Sequence, residues 1–171
     1  QLRISRNRTP VEVIPVTDAI GKVVSVFWRA TPTPVVLKTF GPGDTPIAKS
    51  LVATPEGAWR INCGKAQVFP VFEVPVTALE DCVIFYRAKM KSEDVEGQAF
   101  LEMWCRVPGR GEFFSRGLDH VVTGTNDWAS YETPFFLKKG EKADLLKLNL
   151  SLQGKGKVWI KDVEVHVRGD G

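Results

Sequence analysis

The sequence predicts an all-β protein, folded as an antiparallel sandwich or barrel. From residue 59 onward, apolar and polar residues alternate in six successive runs, and glycine-containing or Asn-containing turn signals separate the runs. Alternation with period two is typical of strands that bury one face. Prolines interrupt the first 57 residues too often for a long helix. A chain of 171 residues is long enough for one domain with a substantial core.

The N-terminal part of the chain, residues 1–57, is predicted to be a proline-rich extension. Its short β-branched stretches, 11–16 and 23–28, are interpreted as short edge strands, because proline cannot donate a hydrogen bond to a sheet. We expect this extension to pack on, or to continue, a sandwich formed by residues 58–171. The two parts together are expected to form one domain.

The six alternating runs are the predicted strands of the sandwich: 66–74, 82–91, 98–107, 130–139, 145–152 and 157–167. Residues 141–150 have the propensity of a short helix, but leucine recurs there at every second position up to residue 152, which favours a strand. The two glycines at 154 and 156 favour a hairpin before the last strand.

Alternation also assigns the two faces of each run, because successive side chains on a strand point to opposite sides. The apolar sets predict a shared core, whose most central members are Ile84, Tyr86, Leu101, Met103, Leu148, Leu150, Val158 and Ile160. The remaining positions of these runs are polar or aromatic. They are therefore predicted to face outward.

The motifs along the chain resemble those of a known family. The stretches FYRAKMK, SEDVEG, AFLEMWCRV, GTNDWASYETPF and LLKLNLSLQGKGKVWIKDVEV follow one another between residues 85 and 165. In this order they resemble the galactose-binding-like jelly roll of carbohydrate-binding modules on bacterial secreted, glycan-active proteins, over about residues 58–167. The resemblance implies a two-sheet antiparallel jelly-roll sandwich whose final hairpin places Trp159 opposite the core. It also implies a non-catalytic module of a larger secreted or membrane-anchored, extracytoplasmic protein.

An outward face provides the candidate ligand site. If runs 82–91, 98–107 and 145–153 pair in one sheet, seven side chains converge on its outer face: Phe85, Arg87, Glu102, Trp104, Arg106, Lys147 and Asn149. Aromatic rings stack on the C–H faces of a pyranose, and charged or amide groups pair with its hydroxyls. The set predicts a saccharide-binding groove. Its two excess positive charges predict a preference for anionic glycans.

Two alternatives to a ligand site remain open for this face. In the first, the face is covered by the N-terminal extension or by a neighbouring domain. In the second, the face and the Phe113–Phe114 segment form the interface of a protein-interaction or structural domain. Catalysis is not expected, because no catalytic motif is found and Glu102 is the only acid predicted on the face, whereas glycoside hydrolysis needs two carboxylates.

Composition argues against other classes of partner. The 23 basic and 20 acidic residues are interspersed, so no basic stripe for nucleic acid is expected, and no apolar run is long enough to span a bilayer. The three cysteines lack metal-ligand spacing. The acidic turn at Glu93, Asp94 and Glu96 offers oxygen ligands for a structural calcium ion. In the alternative interpretation, these three side chains bind no ion and are solvated. No cofactor is predicted.

Overall fold

The computed structural model describes residues 11–17, 23–30 and 34–169, and it contains only β-strands and turns over these ranges. Among these residues, no helix is long and apolar enough to cross a membrane. The strands, numbered along the chain, are β1 (Val11–Thr17), β2 (Val23–Ala30), β3 (Val35–Phe40), β4 (Val52–Ala53), β5 (Trp59–Cys63), β6 (Gln67–Leu79), β7 (Cys82–Val107), β8 (Gly111–Arg116), β9 (Val122–Leu137), β10 (Ala143–Leu152) and β11 (Gly156–Gly169).

The 26-residue strand β7 organises the sandwich, because its two halves pair with different strands. Residues 82–93 lie between β9 and β11, and β11 continues to β5 and β3. We call this group, with β4 beside β5, layer A. Residues 99–107 lie between β8 and β10, and β10 continues to β6; this group is layer B. All of these pairs are antiparallel.

A bend in β7 carries the chain from layer A to layer B. Asp94 and Gly97 have positive φ angles of 51° and 71°. The β10–β11 hairpin packs directly on this bend, since the Glu96 amide donates to the Lys155 carbonyl over 2.8 Å. A Cβ on Gly154 would collide with the Glu96 carbonyl oxygen, and one on Gly156 would lie 2.6 Å from the Cα of Val95. This close approach requires glycine at both positions.

The core lies between the two layers. Phe40 of layer A stacks on Phe72 of layer B with ring centroids 3.9 Å apart, and Trp59 meets Phe72 edge-on at 5.3 Å. All eight residues predicted as the centre of the core are at most 1% exposed, and residues 143–152 form a strand. The predicted inward faces are therefore confirmed.

The predicted fold class, an all-β jelly-roll sandwich of two antiparallel sheets, is confirmed. The described residues cover only part of the predicted N-terminal extension. Strands β1 and β2 pair with each other, and β3 joins β11. Residues 1–10, 18–22 and 31–33 lie outside the described residues, and so does any packing of the extension that depends on them.

Runs 82–91, 98–107 and 145–153 lie in one continuous nine-stranded sheet, but the predicted pairing fails for the first run, which lies in the other layer. Runs 98–107 and 145–152 do pair, but residues 82–91 belong to layer A. The acidic stretch 92–97 is not a hairpin turn between neighbours; it is the bend within β7. Alternation reports which way a side chain points relative to its own strand, and it is identical for a hairpin and for one strand that changes layers.

Candidate functional site

The outer face of layer B brings together five of the seven predicted site residues. Glu102, Trp104 and Arg106 alternate along β7, while Lys147 and Asn149 alternate along the adjacent β10. In the register, Trp104 lies opposite Lys147 and Glu102 lies opposite Asn149. We refer to these five residues and the outward residues of β8 beside them as the Trp104 face.

Glu102 is the most buried member of this face, with 4% of its surface exposed. Its Oε1 accepts hydrogen bonds from Trp104 Nε1 at 3.0 Å and from Asn149 Nδ2 at 3.1 Å. Its Oε2 accepts a bond from Arg116 Nε at 3.1 Å. A buried carboxylate is tolerated only when such donors compensate the lost hydration. The three donors come from three strands, so Glu102 holds side chains of β7, β8 and β10 in one arrangement.

The aromatic part of the face extends onto β8. The ring of Phe114 lies 5.0 Å from that of Trp104, and the Arg116 guanidinium lies 4.4 Å from the Phe114 ring centroid. Phe114 is 47% exposed, whereas Trp104 is half-buried. Phe114 and Arg116 were not among the predicted site residues, because no strand was predicted over residues 111–116. The alternation in Glu112, Phe114 and Arg116 was the signal that could have placed them.

The basic side chains of the face are neutralised by carboxylates. Arg106 forms a two-pronged pair with Asp144, at 2.8 and 3.1 Å, and Lys147 contacts Glu112 at 2.7 Å. The hydrogen bond from Arg106 is the largest cause that lowers the pKa of Asp144, and the same bond raises the pKa of Arg106. With Glu102 paired to Arg116, every cation here has a carboxylate partner.

The predicted excess of positive charge is therefore absent from the described part of this face. The face carries three basic residues, at 106, 116 and 147; its acidic residues at 102 and 112, with Glu73 and Asp144 beside it, make four acids. Glu73 and Glu112 lie on strands that the face prediction left out, and Asp144 lies on β10 just before the predicted run 145–153. They offset the charges that β7 and β10 contribute.

Phe85 and Arg87, the other two predicted site residues, lie on the outer face of layer A. Arg87 pairs with Glu132 of β9 at 2.9 Å, and the guanidinium of Arg168 lies 5.3 Å from the Phe85 ring. The core separates them from the Trp104 face, because the inward residues of 82–91 and those of 98–107 belong to the same buried cluster. The structure therefore does not bring these two residues to the predicted groove.

In the acidic stretch considered as a calcium site, the side chains contact other protein groups. Glu93 contacts Lys157 at 3.8 Å, Glu96 contacts Lys155 at 3.5 Å, and the Asp94 amide donates a hydrogen bond to Thr125 Oγ1 at 3.0 Å. Among the described residues, no group of three or more His, Cys, Asp or Glu side chains is arranged to hold a metal ion.

Comparison with known proteins identifies the fold. No protein-family profile matches the sequence, and no curated protein matches it. The CBM22-1 xylan-binding domain of Paenibacillus barcinonensis Xyn10C matches with a TM-score of 0.51 and 11% identity, over 83% of this chain and all of that domain.

Two further carbohydrate-binding modules match with TM-scores of 0.49. A family 4 module has 11% identity over 80% of this chain and 79% of its own. The C-terminal family 22 module of Clostridium thermocellum Xyn10B has 9% identity over 79% of this chain and 89% of its own. The match to the xylan-binding domain, at a TM-score of 0.51, shows that the chain has the jelly-roll fold found in carbohydrate-binding modules, as the motifs predicted.

Proposed function

We propose that this chain is a non-catalytic saccharide-binding module whose ligand lies across the Trp104 face. The observation that carries the proposal is the buried Glu102 carboxylate, which holds Trp104, Asn149 and Arg116 beside an exposed Phe114. Rings held in this way offer a stacking surface without a large loss of side-chain entropy on binding. The jelly-roll fold shared with a xylan-binding domain supports the same class of ligand.

The polar groups beside the rings are suited to sugar hydroxyls. Three donors use part of the hydrogen-bonding capacity of the Glu102 carboxylate, and among the described residues no donor reaches the Oδ1 atom of Asn149. Because the cations of the face are already paired, we propose a neutral saccharide here and not an anionic one. Stacking on one or two rings with solvent-exposed hydrogen bonds supports weak binding.

The wider role follows from the class of module. We propose that it serves a larger secreted or membrane-anchored protein and acts outside the cytoplasm, by holding that protein on its glycan. The absence of a catalytic role is part of this proposal. A catalytic role would be supported by release of reducing ends from a bound polysaccharide.

A glycan array tests the proposal directly. The purified chain is applied to neutral and acidic oligosaccharides, and retained glycans are then titrated by calorimetry with and without calcium. Trp104→Ala is expected to abolish binding of the neutral ligand, since stacking is lost. Phe136→Ala is the matched control, because Phe136 is an exposed aromatic residue on layer A.

Two outcomes would reject the proposal. One is that no neutral ligand is retained on the array. The other is that Trp104→Ala binds the neutral ligand as tightly as the wild type does. The first would support the alternative, a protein-interaction or structural domain. The Trp104 face and the Phe113–Phe114 segment are then the surface to test for partners.

A further inference from the structure

A second aromatic cluster lies on the outer face of layer A, on the opposite side of the core from the Trp104 face. The Nζ atom of Lys91 lies 4.7 Å from the ring centroid of Trp159 and 5.4 Å from that of Trp128. The Nζ atom of Lys161 lies 4.2 Å from the Trp128 ring. These distances are those of cation–π contacts. We refer to the four residues as the tryptophan–lysine cluster.

The strand pattern explains why these side chains meet. Trp159 and Lys161 alternate on β11 with the fully buried Val158 and Ile160, so both point outward. Lys91 of β7 lies opposite Trp159 in the register. Trp128 comes from β9, the other neighbour of β7, so the cluster crosses three adjacent strands.

The cluster is positively charged, unlike the Trp104 face. Among the described residues, Lys161 forms no ion pair, and Lys91 has one carboxylate contact, with Glu56 at 3.9 Å. Arg60 lies next to Trp159 in the register and is likewise without an ion pair there. A lysine ammonium has three donors, so a cation–π contact leaves donors available to an anion.

An open cleft of about 390 Å³ adjoins the cluster and is lined by Lys91, Trp159, Ser92, Glu93, Asn126 and Asp127. This volume is within the range of small-ligand sites. The cleft combines one indole wall and one ammonium group with hydroxyl, amide and carboxylate groups. These polar groups accept or donate hydrogen bonds to hydroxyls, which matches the chemistry of a sugar ring.

We propose that the tryptophan–lysine cluster is a second binding site, specific for saccharides that carry carboxylates, such as uronic-acid oligosaccharides. The carboxylate pairs with Lys91 and Lys161, and the sugar ring lies against the indoles. A neutral sugar leaves the cations without a counter-charge. A single-stranded DNA is disfavoured, because its backbone has no free hydroxyls to donate to the carboxylates of Glu93 and Asp127, whereas a uronic-acid sugar has them. This proposal is independent of the ligand on the Trp104 face.

The test is a titration of the full chain with galacturonate, alginate and glucuronate oligosaccharides, each beside its methyl-esterified neutral form. At least one acidic form is expected to bind, its neutral form to bind at least about fivefold more weakly, and its affinity to fall as salt rises from 50 to 500 mM. Lys161→Gln is expected to weaken acidic binding about fivefold, and Lys91→Gln with Lys161→Gln roughly tenfold or more.

Lys139→Gln is the charge-matched control, because Lys139 is exposed in the turn after β9, at the far end of that strand from Trp128. It is expected to bind as the wild type does. Trp159→Ala is expected to weaken acidic binding, because the indole wall is lost; if that variant unfolds, Trp159→Phe, which keeps a smaller ring, is measured instead, and thermal melts verify folding. No binding of any acidic form, equal binding of the esters, or equal losses in Lys139→Gln and Lys161→Gln would overturn the proposal. Tighter binding of oligo-dT or of anionic lipid vesicles would overturn it as well.

Discussion

Trp104 donates its indole N–H to Oε1 of Glu102, two residues earlier on the same strand, across 3.0 Å. The two side chains share a face because strand residues alternate. Asn149 and Arg116 bind the same carboxylate from the strands on either side. An interaction within one strand thus becomes a connection across three strands, and it positions the aromatic residue on which the proposed function depends.

Glu102→Gln is expected to lower the free energy of unfolding by about 1–2 kcal/mol, since the amide retains one acceptor oxygen but presents an NH₂ group to one set of donors. Urea unfolding measures the change. Glu112→Gln is the control: its partner Lys147 is half-exposed, so a loss below about 0.5 kcal/mol is expected. Equal effects of the two variants would contradict the role assigned to Glu102.

Leu148→Ala is expected to cost about 2–5 kcal/mol, because the side chain is fully buried between the layers and its removal leaves a cavity. Val68→Ala on the neighbouring strand β6 should cost less than about 1 kcal/mol, since Val68 is 45% exposed. Chemical denaturation compares the two. A cost below 1 kcal/mol at Leu148 would be inconsistent with its place in the core.

Tyr86→Phe is expected to raise the free energy of unfolding by about 1 kcal/mol. The Tyr86 hydroxyl is buried and has no hydrogen-bond partner among the described residues, and burial raises its pKa well above the ordinary value of 10.0. Phenylalanine keeps the packed ring and removes the polar atom that lost its hydration. Thermal and urea melts measure the change, and a clear destabilisation would show that the hydroxyl has a partner.

Asp144 should make stability depend on pH on the acid side. Its pKa is lowered from 3.8, first by the hydrogen bond from Arg106, so the folded state binds a proton less readily than the unfolded chain. The pair therefore contributes stability above the ordinary aspartate pKa, and this contribution is lost as pH falls through and below about 4. Urea midpoints measured from about pH 6 to pH 2 should fall less steeply for Asp144→Asn than for the wild type. Parallel curves would contradict the expectation.

Cys105 is expected to be unreactive in the native protein. Burial is the main cause that raises its pKa to about 12, and the nearby Cys82 is the second. The nucleophilic thiolate is therefore scarce at pH 8. Cys105 and Cys63 are both reduced and buried. Mass spectrometry after brief alkylation should find Cys105 unmodified, whereas three thiols per chain should react in denaturant. Rapid native labelling of Cys105, or fewer than three thiols after denaturation, would refute this expectation.

Several features of the site could be predicted from sequence because they depend on one strand at a time. The outward positions of Glu102, Trp104 and Arg106 follow from the apolar residues between them. The strand predicted at 145–152 and its buried leucines follow in the same way. The place of Trp159 opposite the core was implied by the motif resemblance. The motif resemblance also predicted the jelly-roll fold.

Other features depend on residues that are distant in sequence. Nothing in the alternation of Phe85 and Arg87 distinguishes layer A from layer B, and the carboxylate partners of Arg106 and Lys147 come from other strands. The cluster of Trp128, Trp159, Lys91 and Lys161 likewise requires the order β11–β7–β9.

The sequence by itself determined which side of its own strand each residue of this protein faces, because backbone geometry makes the side chains alternate and apolar side chains must leave water. Only the tertiary structure decided which outward residues share a surface. That choice depends on the bend in β7 at Asp94 and Gly97, which sends the two halves of one strand into opposite layers. It therefore separated the face around Trp104, whose cations are paired with carboxylates, from the positively charged face around Trp159.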